Sequence, residues 1–506
     1  MTPRTASSAP DTLVRLDPRD GAPAYRQICN SLREAIVAGR LAPGAHLPST
    51  RLLAEDLGVS RNTVNGALAH LRSEGYVVAR ARAGTFVNQR LEAEGLMPPK
   101  AGGTRRALPR PPARSLRVSA RTRTLARLPL AAGRSVVQPA RPFQTGVPAL
   151  DAFPWKLWAR LAGGWTRRSG PLLSAYGDVL GHAPLRSAIA SYVAAARGAR
   201  CTAEQVIVTA GAQQGLDLVA RVLLDPGDVA CVEDPGYPAV RGVLAGVGAR
   251  LMPVGLDGEG VRVPDAPARG SAPPRLIYVT PSRQFPTGIT MSAARRLQLL
   301  RWADAADAWI VEDDYDSEFR YASRPLNCLQ GLDERERVIY VGTFSKTVFP
   351  GLRLGYLIVP APLVPALSDA RAVADRQPPG IEQAVLAEFI AAGHLTRHVR
   401  RMRHLYEERR DALLRAAEEW LGDHVELGDT AAGMLAVAWL RRGVNDQRIS
   451  KLALAEGVEV SPLSRYAIRP LDRGGLLLGY AGFAAPALGE AVRRLAKVLV
   501  PEKRRS

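Results

Sequence analysis

The chain has 506 residues, 46% hydrophobic and 23% charged, which excludes a mainly disordered chain, a collagen-like fibre and a small disulfide scaffold. At roughly 150 residues per domain, that length suggests about three structural units. Its 68 Lys+Arg against 48 Asp+Glu give a net charge of +20, which favours nucleic acid or another anionic surface as a partner but says nothing of fold. Only six of the basic residues are lysines, so the arginine bias of a GC-rich genome is a competing source of the charge. Cys29, Cys201, Cys231 and Cys328 lie far apart without a C-x-x-C pair or zinc spacing. They read as reduced thiols in a cytosol, and no metal site is expected. The first 20 residues have no signal-peptide core, and the apolar stretch 474–489 is too short to span a bilayer. A cytoplasmic protein without membrane contact is expected.

Residues 1–21 read as a flexible tail. From 22 to 88 the pattern is compact. Tyr25, Ile28, Leu32 and Ile36 share one helical face, and Gly39 ends that helix. In LPSTRLLAEDLG, Ser49 caps a short helix that should carry Leu52, Leu53 and Leu57 inward to a stop at Gly58. In SRNTVNGALAHLRSEG, Ser60 caps a second helix with Val64, Leu68 and Leu71 as its buried stripe. Two short helices about a glycine turn predict a helix-turn-helix. Strands at 76–78 and 85–87 flank ARARAG, a basic wing with Arg80 and Arg82. Arg61, Asn62, Thr63 and Asn65 stand at the start of the second helix, off the apolar stripe, where side chains reach base edges. Arg51 can meet the DNA backbone. A solvated helical hairpin with a polar surface is the plain alternative, but caps, turn, stripe and wing agree within one short stretch.

This segment resembles the winged helix-turn-helix of the GntR regulator family, through LPSTRLLAEDLGVSRNTV and GTFV. The resemblance implies a DNA operator as partner. The DNA-binding candidates are then Arg51, Ser60, Arg61, Asn62, Thr63, Arg82 and Gly84. Arg82 departs from the small residue usual two positions before the wing glycine.

Residues 89–140 are rich in Pro, Gly and Arg, with no sustained period, and read as a linker. From 141 to 506 short apolar runs alternate with amphipathic helices, which predicts an α/β domain. Val206 to Thr209 is a strand running into Gly211-Ala212-Gln213, a small-residue turn and helix start of the kind that binds phosphate. Val229 to Val232 runs into Glu233-Asp234-Pro235-Gly236-Tyr237, whose Tyr237 could stack on a flat ring. A third strand enters TPSRQFPTG, 280–288. A fourth, Ala308 to Val311, ends in Glu312-Asp313-Asp314-Tyr315-Asp316, carboxylates at the strand end that faces a ligand crevice. A carboxylate there can hold a pyridinium N–H; a metal site competes, but no second acidic or histidine cluster completes one. A fifth, Val338 to Val341, delivers Lys346 beside Thr343 and Ser345, with Arg353 seven residues on. A lysine so placed can form a Schiff base, and the hydroxyls and Arg353 suit a phosphate dianion.

Residues 141–500 resemble a fold-type I, pyridoxal-phosphate-dependent aminotransferase, and the whole chain resembles the MocR-type subgroup of GntR regulators. The resemblance implies an α/β fold with a mostly parallel sheet flanked by helices, large part about 180–365, and a smaller C-terminal α/β part about 366–500. It implies pyridoxal 5'-phosphate as cofactor, with Lys346 as its Schiff base, Asp313 on the ring nitrogen and Tyr315 on the ring oxygen. Arg353, Thr343, Ser345 and the backbone of Ala212 and Gln213 would hold the phosphate, and Tyr237 would stack on the ring.

Three departures stand out. Phe285 replaces the usual Asn of Asn-Pro-Thr-Gly. The late strand Leu476-Leu477-Leu478-Gly479-Tyr480 lacks the arginine that grips a substrate carboxylate. Arg283 stands where the subgroup usually has His. Arg241 and Arg465 are the candidate carboxylate anchors by position.

The implied function is a cofactor-dependent, DNA-binding regulator that senses an amine or amino acid through an external aldimine, as a head-to-tail homodimer. An active aminotransferase with a DNA-binding appendage is the alternative; a sensor of the cofactor alone uses the same residues.

Overall fold

The computed structural model describes residues 14, 16–17, 20–81, 83–91, 119–127, 140–265, 272–321 and 327–499. It divides into two compact units, Met1–Leu116 and Arg117–Ser506. Among the described residues no helix is long and apolar enough to cross a membrane.

The N-terminal unit has helices α1 (Ala24–Val37), α2 (Thr50–Asp56) and α3 (Arg61–Ser73) and a hairpin of β1 (Val77–Arg80) and β2 (Gly84–Val87). Ile28, Leu32 and Ile36 of α1 meet Val64, Leu68 and Leu71 of α3 in one core. Ser49 and Ser60 cap α2 and α3, accepting from the N–H of Leu52 and Thr63. Those bonds satisfy helix N–H groups that have no intrahelical partner.

The inward faces differ in two places from the periodicity. Tyr25 and Leu52 are exposed, because α1 begins only at Ala24 and Leu52 lies in the first turn of a seven-residue helix whose interior face is Leu53 and Ala54. The tail ends in contacts: the Gln27 side chain accepts from the Asp17 N–H and donates to the Asp17 and Ala22 carbonyls. Leu91 packs into the core, three residues beyond the expected boundary.

The second unit begins with α4 (Ala120–Arg127), a helix inside the stretch expected to lack one, which packs on α8 (Pro238–Val247). Its arginines hid the weak apolar period. The rest of residues 89–140 lies largely outside the described residues. Then come α5 (Trp155–Ser174), α6 (Ala183–Arg197), β3 (Val206–Thr209), α7 (Ala212–Leu223), β4 (Val229–Asp234), α8, β5 (Arg250–Asp257), β6 (Gly260–Val261), β7 (Pro274–Val279), α9 (Ala293–Ala305), β8 (Trp309–Asp314), α10 (Leu329–Leu332), β9 (Val338–Thr343) and β10 (Gly355–Ile358). The sheet order is β3-β10-β9-β8-β7-β4-β5-β6. The run β5-β4-β7-β8-β9 is parallel, while β10 is antiparallel to both β9 and β3. The central strands are buried almost throughout, as expected of parallel strands covered on both faces.

Helices α11 (Val364–Ala374), α12 (Gly380–Ala391) and α13 (His394–Trp420) lead to the smaller part. There β11 (Val425–Leu427), β12 (Leu435–Leu440), β13 (Ser461–Pro462) and β14 (Gly475–Gly479) form an antiparallel sheet in the order β11-β12-β14-β13. It packs with α13, α14 (Asp446–Ala455) and α15 (Ala485–Leu499). Residues 141–149 join the two parts: Phe143 bridges to Gly479 of β14 and Gly146 faces Lys346.

Candidate functional site

Parallel strands end on one edge of the sheet, so β4, β7, β8 and β9 deliver their following loops to one crevice. Lys346, three residues past β9, is half-buried there. Its Nζ donates to the Gly146 carbonyl at 2.9 Å, across 200 residues of chain. Burial lowers its pKa, against the opposing pull of Asp316 and Asp313. A lysine displaced toward its neutral amine is a better nucleophile.

The acidic run at the end of β8 sorts itself by strand alternation. Glu312 accepts from the N–H groups of Leu329 and Gln330 at 2.8 and 2.9 Å. Asp314 accepts from Arg197 at 3.0 Å and the Tyr340 hydroxyl at 2.7 Å. Asp313 points to the other face. Its Oδ2 accepts from the Tyr278 hydroxyl at 2.7 Å, and its Oδ1 is buried without a partner. Burial pushes its pKa up to about 7, against the Tyr278 bond and Lys346. Asp314 also keeps one oxygen without a partner, but on the face it shares with Arg197. A cationic ring N–H would satisfy Asp313 Oδ1 and return the carboxyl to its ionised form.

Where the sequence predicts the phosphate, Gly211 caps α7 with φ 101°, and Ala212 and Gln213 are the helix's first two residues. N–H groups there have no intrahelical partner and favour an anion. β10 lies between β3 and β9, so Gly355 sits opposite both Thr209 and Thr343. A Cβ on Gly355 would stand 2.9 Å from the Gly211 carbonyl carbon and 3.0 Å from the Ala212 nitrogen, so only glycine lets these turns approach. The same approach puts the Arg353 guanidinium 3.3 Å from where a Gly211 Cβ would be. Thr343 Oγ1 accepts from the Ser345 N–H at 3.2 Å, which orders that side of the cradle.

Tyr237 caps α8 and its hydroxyl reaches Gln213 at 3.5 Å. Phe285 is an aromatic hub, edge-on to Tyr237, Tyr315 and Tyr466 at centroid separations of 5.7, 5.7 and 5.4 Å. An apolar ring thus fills the place of an amide. The Tyr315 hydroxyl is buried beside the Arg283 guanidinium, whose charge favours its ionised form against the effect of burial.

The structure therefore brings together Lys346, Asp313, Tyr315, Thr343, Ser345, Arg353, Ala212, Gln213 and Tyr237. Arg241 is buried and engaged: it donates to the Gly236 and Tyr466 carbonyls and lies 3.9 Å from Asp234. Arg465 is exposed on the helical turn Leu463–Tyr466.

Sequence reasoning missed Glu233, Gln284, Tyr278 and Gly146. Glu233 is fully enclosed, accepts from Thr280 N–H and hydroxyl at 3.0 and 2.6 Å and from Gln284 at 3.0 Å, and has its pKa raised to about 7 by burial. It fixes the loop carrying Arg283 and Phe285 against the loop carrying Tyr237. A carboxylate inside the apolar strand β4 was the available signal; Gly146 offered none.

In the N-terminal unit, Arg51, Ser60, Arg61 and Asn62 are exposed and Thr63 is half-buried, its hydroxyl 2.8 Å from that of Ser60. Gly84 opens β2 at φ 103°, where a Cβ would collide with the His46 ring. Arg82 lies outside the described residues. Cys29, His70 and Glu74 gather behind α3, a cluster that sequence spacing concealed. The Arg33 guanidinium stands among them, 3.4 Å from the Cys29 sulfur and 2.6 Å from Glu74, and supplies the positive charge there.

Residues 24–87 match the model for bacterial regulatory proteins of the gntR family, and residues 156–495 match that for class I and II aminotransferases. The chain is 41% identical to a probable rhizopine catabolism regulatory protein, MocR, of Rhizobium meliloti, over 96% of this chain and 95% of that one. It is 35% identical to the HTH-type transcriptional regulator TauR of Rhodobacter capsulatus, over 92% and 94%. Among solved structures, kynurenine aminotransferase of Pyrococcus horikoshii, in complex with PMP, superposes with a TM-score of 0.67 at 27% identity, covering 76% of this chain and 95% of that one. A winged helix of one family and an aminotransferase fold of the other, in the order and over the length found in these regulators, make the chain a member of the MocR-type GntR transcription regulators, whose second domain is aminotransferase-like and takes pyridoxal phosphate as cofactor.

Proposed function

We propose that this regulator senses a small amine at Lys346 and that occupancy of that site sets its affinity for operator DNA. The observation that carries the reading is an imbalance. The residues that would cradle the cofactor are all present, yet β14, which reads Gly-Leu-Leu-Leu-Gly and is buried throughout, carries no arginine to grip a substrate for turnover.

Bound pyridoxal phosphate supplies an aldehyde carbon that condenses reversibly with amines and a ring that withdraws electrons. The chain's own residues then have separate tasks. Asp313 Oδ1 would hold the ring N–H. Arg353, Thr343, Ser345 and the first N–H groups of α7 would hold the phosphate. Tyr315 would donate to the ring oxygen, and Tyr237 would cover the ring face. Lys346 would hold the cofactor through its amine, at the place where an effector amine would bind. An effector shifts DNA affinity only by binding the protein's two states unequally. We infer a head-to-tail homodimer reading two half-sites, with Arg51, Ser60, Arg61, Asn62, Thr63, Arg82 and Gly84 as the DNA surface; two-fold symmetry in the protein calls for it in the operator.

The test is spectroscopic. Cofactor-loaded protein mixed with amines should change absorbance once and hold, with or without a keto acid. Steady keto-acid-dependent turnover near the typical enzyme value of about 10 s⁻¹ would contradict the sensing role and favour an aminotransferase.

A further inference from the structure

We propose that Arg283 is a positioning residue of the cofactor site: from one guanidinium it readies the Tyr315 phenol for the ring oxygen and anchors β12 of the smaller part beside it. The inference rests on the placement of Tyr315 proposed above and adds the group that acts through it.

Arg283 lies in the loop after β7 and is 3% exposed. Its Nη2 donates at 2.6 Å to the carbonyl of Leu435, 152 residues away and the first residue of β12. Glycines close on the guanidinium: a Cβ on Gly433 would collide with Nε, and one on Gly288 would stand 3.2 Å from Nη2. Gly433 is itself held. Its N–H donates to the Phe319 carbonyl at 2.7 Å, and its carbonyl accepts from the Tyr321 and Tyr480 hydroxyls. The Tyr321 N–H donates to the Ala431 carbonyl at 3.0 Å. The strip 431–435 of the smaller part is thereby stitched to the segment that runs on from Tyr315, and Arg283 fills the corner between them.

The guanidinium also faces that segment. Nη1 stands 3.7 Å from Asp316, and the buried Tyr315 hydroxyl lies beside it. Tyr315, Asp316, Arg320 and Tyr321 after β8, with Tyr480 after β14, are the charged and titratable groups around Arg283. Burial pushes Asp316 up to about 7 in spite of Arg283, so near neutral pH the carboxyl offsets the guanidinium only in part. The remaining positive charge polarises the Tyr315 O–H and makes it a stronger donor to an oxygen. One residue can serve both sides because a guanidinium carries five N–H donors in a rigid plane. A histidine, usual at this position in the subgroup, has two ring nitrogens, and a lysine has one flexible ammonium.

Two readouts on the full-length protein test this. The first is the pH midpoint of the absorbance of pyridoxal phosphate held on Lys346. A cation behind the ring oxygen's donor disfavours a proton on that linkage, so losing the cation raises the midpoint. In an Asp316→Asn background, which leaves no unpaired buried carboxylate, Arg283→Gln should raise it by at least about half a pH unit. With Tyr315→Phe added to that background, the same exchange should raise it by no more than about half as much, because the phenol it acts through is gone. The second readout is amide hydrogen exchange in cofactor-free protein. Exchange across 431–435 should quicken at least about threefold both in Arg283→Lys, which keeps the charge but loses the planar fork, and in the Arg283→Gln form, with β8 unchanged. This second readout decides if a variant fails to hold cofactor. An unchanged midpoint, a shift undiminished without Tyr315, or unchanged exchange would overturn the inference. A midpoint that Tyr315→Phe alone leaves where it was would instead overturn the placement of Tyr315 at the ring oxygen, and this inference with it.

Discussion

The capping bonds of the DNA-binding unit join residues three apart: Ser49 to Leu52 and Ser60 to Thr63. The bonds that define the cofactor site span 35 residues from Tyr278 to Asp313, 47 from Glu233 to Thr280 and 200 from Lys346 to Gly146. The DNA surface proposed for the first region consists mostly of exposed side chains. The second works with enclosed groups, each defined by what already bonds to it. A residue type in a local pattern suffices to propose a DNA contact. It does not suffice to choose among Glu312, Asp313 and Asp314, which differ by the face each takes on β8: Asp313 meets Tyr278, while the other two meet Arg197, Tyr340 and the N–H groups of Leu329 and Gln330.

The largest effect that would break this contrast is at Lys346. Lys346→Ala should abolish borohydride-fixable cofactor attachment completely while operator binding by the cofactor-free protein stays as it was. Next comes the choice between adjacent carboxylates. Asp313→Ala should weaken cofactor affinity at least about tenfold, because a charged hydrogen bond to the ring is lost. Asp314→Asn should leave cofactor affinity near the parent's and lower stability by about 1–3 kcal/mol in denaturant melts, since Arg197 and Tyr340 lose a buried acceptor. Exchanged outcomes would reverse the assignment.

Smaller effects belong to the local region. Arg61→Ala should cost operator binding about 1–3 kcal/mol at fixed salt, with cofactor uptake unchanged. Unaltered operator affinity would falsify the placement of α3 as the reading helix. Ser60→Ala should cost about 1 kcal/mol of stability in the N-terminal unit through its lost cap, measured by thermal melting with the cofactor band intact.

Sequence was most informative where physics is local. The caps Ser49 and Ser60, the stop at Gly39 and the stripe Val64, Leu68 and Leu71 all stand as their spacing implies. The strands leading to Tyr237, Asp313 and Lys346 were legible as apolar runs, although each strand continues past its run, β8 through Asp313 itself. What escaped was set by tertiary partners. Leu52 looked buried by period and is not, in a helix too short to hide two faces. The helix Ala120–Arg127 is masked in sequence by its arginines. Arg241 looked available by position, yet its guanidinium is used by carbonyls, one of them 225 residues away. Glu233 and Gln284 lie within segments that the sequence singled out, but their roles exist only because those two loops meet.

The most direct measurement is the affinity of purified protein for its own upstream DNA, titrated with pyridoxal phosphate and a responsive amine, in the parent and in Lys346→Ala. Coupling of the usual size predicts a change of about fivefold or more in the parent and none in the variant. An equal change in the variant, or a constant DNA affinity while the parent's absorbance responds in full, would contradict control of DNA binding through Lys346.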